Sequence, residues 1–226
     1  MQYSTFKQQF ERVVLSHPLW RHPWFTLIRK SPSIPLLRRW AIQAGMIDEL
    51  FVEILSTLLV NANIPASSHC AIRRNLNDEL GNGRRVEEHF QLFRSVLRSL
   101  NISEATYRRQ PALPGTKAIL YGLRNAVQGD SIRAFAVMAS EEFICPREFP
   151  RLMQALVDVG VSGQWHPYFT VHCEADTEHA ADLLQHLYEE CCKDRVHRFD
   201  RAFTCVEEDL NWNLCFYESL LLVSLR

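Results

Sequence analysis

Residues 171–183 read VHCEADTEHAADL. His172, Asp176 and His179 stand at i, i+4 and i+7, so at about 100° per residue they leave an α-helix within ~60° of each other. Val171, Ala175 and Leu183 extend that side of the helix with apolar groups. The pattern predicts a face turned into a helical bundle, where unpaired charge is costly. A bound cation removes that cost, and imidazole with carboxylate is a ligand set suited to iron, manganese or zinc. The competing account is an ordinary helix surface, where i, i+4 pairs only stabilise the helix. Glu174, Glu178 and His186 nearby show how readily such residues arise.

Two further stretches add to this one. NLNDELGNGRRVEEHFQLF (residues 75–93) places Glu79 at the end of one predicted helix and His89 at the start of the next, with Gly81-Asn82-Gly83 between them. Two helices can then offer one ligand each to a shared site. SEEFICPREFP (140–150) carries Glu142 on a long helix, four residues before Pro146, with Glu141 an equal competitor by position alone. Carboxylates and imidazoles projecting inward from several bundle helices are how non-haem di-iron sites are built. An exposed acid near a helix end is the plain alternative for Glu79, and a surface acid for Glu142.

The rest of the chain supports an all-α bundle. Apolar residues recur at helical spacing, glycine is scarce, and breaks carry Pro, Gly or Asn. Helices are expected from Ser4 to His17, Ile34 to Asn61, Pro65 to Leu80, Val86 to Leu100, Thr116 to Gln128, Ser131 to Val159 (interrupted at Pro146 or Pro150), Tyr168 to Lys193 and Val196 to Leu225. That makes seven or eight, with HPLWRHPWFTLIRKSPSIP (17–35) as a proline-broken connection. One domain spanning residues 1–226 is the simplest account. The net charge of −1 excludes the basic balance of a nucleic-acid binder. No uninterrupted apolar run of membrane-spanning length occurs. Seven cysteines without a C-x-x-C pair fit small apolar residues in a reducing cytoplasm.

Taken together, Glu79, His89, Glu142 and the H-x3-D-x2-H of His172, Asp176 and His179 resemble the haem-oxygenase-like di-iron oxidases and oxygenases, relatives of the thiaminase II and PQQ-synthesis oxidase folds. The likeness covers about Leu36 to Leu187 and includes the NLNDELGNG stretch and the Pro four residues after Glu142. It implies a haem-oxygenase-like bundle, two Fe(II) ions held by those six residues, and O2 as co-substrate. Some members add a seventh carboxylate from an earlier core helix. In IDELFVEIL (47–55) Glu49 and Glu53 are the options, and spacing to Glu79 favours Glu53. In the branch that consumes its own side chains to make p-aminobenzoate, a Tyr stands at the position of Glu141 and a Lys follows. No Lys lies between Lys117 and Lys193 here, which disfavours that branch. The thiaminase branch needs a nucleophilic Cys, for which Cys145 is the near candidate, read as a core residue.

The resemblance also implies a small-molecule substrate: a free amino acid, an amine or a medium-chain fatty acid. The favoured reading is a tryptophan-like amino acid oxidised at its amine-bearing carbon, with a nitrile as product, as in a cyanobacterial branch acting on a halogenated tryptophan. Phe143, Trp165, Tyr168, Phe169 and Phe203 lie near the ligand helices and are candidates to wall a flat pocket, although a core position is the favoured account of each; Arg74 or Arg198 are candidates to hold a carboxylate. Oxidative decarboxylation of a fatty acid and a non-enzymatic binding protein are the rivals. A homodimer through the apolar LLLVSL terminus (220–225) is the expected assembly; neither nucleic acid nor membrane is expected as a partner.

Overall fold

The structure, a computed structural model, describes residues 1–193 and 197–224, with side chains placed as far as Leu222. The expected ends of the last helix at Val196 and Leu225, and part of the LLLVSL segment, lie outside the described residues. Within them the chain forms ten α-helices, short 3-10 turns and no strand. In order they are α1 (Tyr3–Ser16), α2 (Pro23–Lys30), α3 (Ile34–Val60), α4 (His69–Glu79), α5 (His89–Ser99), α6 (Glu104–Arg109), α7 (Pro114–Gln128), α8 (Ser131–Asp158), α9 (His166–Cys192) and α10 (Arg198–Ser224).

Two of these, α2 and α6, exceed the seven or eight expected from sequence. Both are short and both are set by caps. The His17-Pro18 and His22-Pro23 pairs repeat one device. Each imidazole Nδ1 accepts from a backbone N–H two residues on (Leu19 and Trp24, each 3.2 Å), while the proline occupies the first turn, where its missing N–H costs nothing. The histidines therefore start a 3-10 turn and then α2 in a segment that reads as broken. Ser103 caps α6 in the more usual way, accepting from Thr106 N at 3.1 Å.

α8 is the central element. It runs unbroken through Pro146 and Pro150, contrary to the expected interruption. Each proline removes one backbone donor and opens the ladder locally. Arg147 Nη1 donates to the Phe143 carbonyl at 2.7 Å within the loosened turn. Asp130 caps the helix start with hydrogen bonds from Ile132 N and Arg133 N. Most of α8 from Ser131 to Phe149 is buried, with α9 along one side and α10, α7, α3 and α2 around the rest.

Close approach of α7 to α10 depends on Gly115, where an added Cβ would stand 2.2 Å from the Cys215 carbonyl oxygen. Buried Gln43 of α3 accepts from Leu113 N and Thr116 Oγ1 and donates to the Pro111 carbonyl, fixing the start of α7 against α3. All seven cysteines are unpaired. No helix among the described residues is long and apolar enough to cross a membrane.

Candidate metal centre and adjoining cavity

The six sequence-predicted residues converge on one buried spot between α4, α5, α8 and α9. None is more than 6 % exposed. They divide into two groups, Glu79 with His89 and His172, and Glu142 with Asp176 and His179; in each the three ligand atoms lie within 4.8 Å of one another. α9 contributes to both groups, because its i, i+4, i+7 spacing spans two helical turns.

Each histidine is oriented by a partner behind it. His172 Nδ1 lies 2.8 Å from the Tyr168 carbonyl, which can only accept, so Nδ1 carries the proton and Nε2 presents a lone pair to the site. His179 Nε2 lies 3.0 Å from Asp78 Oδ2, which leaves Nδ1 facing Glu142 Oε2 at 3.6 Å and Asp176 Oδ1 at 4.0 Å. A carboxylate behind a ligating imidazole is a recurrent way of fixing the ring and raising its basicity. Asn75, one turn before Glu79, donates to Glu142 Oε1 at 2.6 Å.

Three atoms facing the centre lack partners. His89 Nδ1 stands 3.0 Å from Glu79 Oε1 without hydrogen-bond geometry, and with His179 Nδ1 and Asp176 Oδ1 it is buried and unsatisfied. Such orphaned atoms are rare because each costs roughly 1–3 kcal/mol. Electrostatics agree. Burial, then the neighbouring Glu142, pushes the Glu79 carboxyl well above its ordinary value; burial, then Glu142 and Glu79, does the same to Asp176. Burial lowers His172 to about 3 and His89 to about 4, so both are neutral imidazoles at pH 7. Burial acts the same way on His179, but Glu142 and Asp78 outweigh it and hold the ring near 9. Two cations would neutralise the carboxylates and satisfy the orphaned atoms together, so this donor set fits iron.

Glu53 is not part of this cluster. It lies on the outer face of α3 with its carboxylate on Arg124 Nε at 3.1 Å, its side chain 58 % exposed. Glu49 is likewise taken, by Arg108 and the Tyr107 hydroxyl. The carboxylate that α3 turns inward is Asp48. Tyr168 donates to its Oδ1 at 2.9 Å, Oδ1 stands 4.0 Å from His172 Nε2, and Oδ2 is buried without a partner. The sequence does not single it out, since Asp48 and Glu49 are adjacent and only packing decides which faces in.

Glu79 and His89 depend on the turn between α4 and α5. Gly81 (φ +63°), Asn82 (φ 51°) and Gly83 (φ +84°) all adopt left-handed backbone. A Cβ on Gly81 would lie 2.6 Å from the backbone of Glu87 and Glu88. Gly81→Ala is therefore expected to cost about 2 kcal/mol or more in stability and to separate Glu79 from His89. Thermal melts with bound-metal counts check this; a variant with unchanged metal affinity would show that the turn does not position the ligands.

A cavity of about 720 Å³, including its mouth, opens beside the centre and exposes Glu79, Glu142, His172 and Asp176. Trp40, Phe51, Phe149, Tyr168, Phe216 and Tyr217 wall it. Of the candidate aromatics only Tyr168 takes part, and the core account favoured from sequence holds for Trp165 and Phe169. Phe143 faces another cleft under Arg147, Trp165 and Phe169 are core, and Phe203 packs on Phe6. Arg74 pairs with Asp182 at the surface and Arg198 reaches the Glu190 carbonyl, so neither reaches the cavity. No Lys or Arg lines it among the described residues; Glu141, Asp48 and Glu148 do. Glu141 thus points beside the centre, held by Asn213 at 2.9 Å, while its neighbour Glu142 points into it. Cys145 lines the same wall, but burial pushes its thiol well above the ordinary range, the reverse of what a nucleophile needs. A separate surface cleft floored by His89 and His179 is rimmed by Asp78, Glu87, Glu174 and Glu178.

Residues 38–211 match the family described as iron-containing redox enzymes, a span that contains all six clustered residues. The protein belongs to that family. No curated protein matches the chain at a significant level. Solved structures share the fold. A domain with a haem-oxygenase-like fold from Shewanella denitrificans OS217 superposes with a TM-score of 0.80 at 13 % identity, covering 100 % of this chain and 94 % of that one. A CADD-like protein from Nostoc punctiforme PCC 73102 gives 0.80 at 10 % identity over 99 % of both. A TenA homolog from Pseudomonas syringae pv. tomato DC3000 gives 0.72 at 15 % identity over 98 % and 96 %. This member of the iron-containing redox enzyme family thus has the haem-oxygenase-like fold expected from its sequence.

Proposed function

We propose that this member of the iron-containing redox enzyme family is a non-haem di-iron oxidase that uses O2 to oxidise a small amine. The favoured substrate is a free amino acid with a tryptophan-like side chain, attacked at the amine-bearing carbon, with a nitrile as one product. The observation that carries the reading is the pair of buried three-residue groups, in which His89 Nδ1, Asp176 Oδ1 and His179 Nδ1 have no hydrogen-bond partner. Glu79, His89 and His172 would hold one iron, and Glu142, Asp176 and His179 the other, with Asp48 in reach of the first. Two Fe(II) ions supply two electrons to O2 when bound.

The residues around the centre prepare it for that chemistry. Tyr168 and Asp78 hold His172 and His179 in fixed orientation, and Asn75 fixes Glu142. The aromatic walls exclude water and provide flat surfaces for a ring. Carboxylates without a compensating Lys or Arg make the cavity a better host for an ammonium group than for a second anion. A fatty acid brings no ammonium group for these carboxylates to hold, which weighs against the decarboxylase reading.

Anaerobic titration of Fe(II) into metal-stripped protein tests the proposal. Two irons per chain are expected, and O2 uptake should rise with amino acids and not with lauric acid. Absence of stoichiometric iron would remove the di-iron reading. Two irons with uptake only on lauric acid would replace the amine with a fatty acid.

A further inference from the structure

The cavity holds a buried carboxylate that the metal centre does not use. Glu148 lies six residues beyond Glu142 on α8, about 9 Å further along the helix axis. With Glu141 and Cys145 it forms an i, i+4, i+7 line along one wall. It is 7 % exposed, and its hydrogen-bond partners are neutral: the Tyr217 hydroxyl and the Trp40 indole N–H. Of the two cations near it in sequence, Arg147 lies over the Phe143 ring and donates to the Phe143 carbonyl in another cleft. Arg151, whose charge pulls the Glu148 carboxyl down only after burial has raised it, lies with its guanidinium over the rings of Trp20 (5.2 Å) and Phe25 (4.8 Å) in a third. Burial pushes the Glu148 carboxyl up to about 7. The chain thus keeps an acid in an aromatic cavity with only neutral donors on it and no Lys or Arg among the lining residues, a carboxylate with acceptor capacity left for a ligand's N–H.

We propose that Glu148 is a specificity-determining residue that accepts an N–H from the far end of the substrate, so that the substrate is an amine whose aromatic body carries its own ring N–H. This rests on the reading of the cavity as the oxidase's substrate site. The flat body lies between the walls formed by Trp40, Phe149, Phe216 and Tyr217, with the amine toward the metal ligands and the ring nitrogen toward Glu148. A hydrogen bond to a carboxylate is roughly twice as strong as one between neutral groups, and a site built to receive an N–H rejects the analogue that lacks it.

The test is calorimetric binding without turnover, on anaerobic Fe(II)-loaded and on metal-free protein. Tryptophan is compared with the amino acid in which sulfur replaces the indole N–H. The parent is expected to prefer tryptophan by about tenfold or more. Glu148→Gln, which keeps size and an acceptor oxygen, should weaken tryptophan by about tenfold and leave the sulfur analogue within about twofold. Equal weakening of both ligands would show that Glu148 only supports Trp40 and Tyr217, and would overturn the assignment. A parent that prefers neither ligand, or binds neither, overturns it without any variant. Iron stoichiometry is counted on the same samples. Two irons with no N–H preference would leave the oxidase reading standing, and a preference without iron would sink the oxidase while keeping Glu148.

Discussion

Asp176→Asn is expected to abolish O2 consumption and one equivalent of iron, and yet to leave the metal-free protein no less stable than its parent. Asp176 is 1 % exposed, its Oδ1 has no partner, and burial with Glu142 and Glu79 raises its carboxyl far above the ordinary value. A carboxyl raised on folding contributes its full stability below its unfolded value near 4. That contribution is lost as pH rises through the folded value. At pH 8 the metal-free parent therefore carries a penalty that the amide does not. The variant should melt roughly 3–6 °C higher there, corresponding to about 1–2 kcal/mol, with the difference closing toward pH 4. Melts in chelator at both pH values, with iron counted on the reloaded protein, decide the matter. A variant that melts several degrees lower at pH 8 would make Asp176 a structural residue.

The sequence carried the part of this site that is local. His172, Asp176 and His179 share a helix face by spacing alone, and the Gly-Asn-Gly turn marks where Glu79 and His89 come together. What it did not carry are choices that only packing makes. α3 is apolar almost all round, so its hydrophobic pattern does not say whether Asp48, Glu49 or Glu53 turns inward; Arg124 and Arg108, distant in sequence, draw two of them outward. The cavity walls come from Trp40, Phe149 and Tyr217, residues on three helices that no spacing rule connects. Asp78 was within the quoted stretch, but its place behind His179 depends on how α4 crosses α9. The proline interruption of α8 was expected from propensity, and burial on nearly every side overrides it.

Metal binding is expected to be steeply pH-dependent. At pH 7 His179, held near 9, carries a proton on each ring nitrogen, and burial favours the protonated form of the Glu79 and Asp176 carboxyls. A cation must displace these protons. His89 and His172, lowered to about 4 and 3, are already neutral and release none. Each displaced proton makes the apparent affinity rise about tenfold per pH unit. An increase of at least tenfold between pH 6.5 and 7.5 is expected in competition with a metal indicator, together with acid release measurable in weak buffer. The same sign applies to the metal-free fold at His179: the stability from its two carboxylate partners is complete below about 6.5 and disappears as pH passes 9. An affinity flat across this range would mean that the ligands are deprotonated before metal arrives.

The centre has two doors with different chemistry on their frames. The aromatic cavity opens on Glu79, Glu142, His172 and Asp176, while the acidic cleft of Asp78, Glu87, Glu174 and Glu178 opens on His89 and His179. An organic molecule seated in the first does not cork the second. On the proposed function, a hydrated cation and a flat amine would travel by separate routes, each admitted by a rim that suits it, and neither would have to wait for the other to leave.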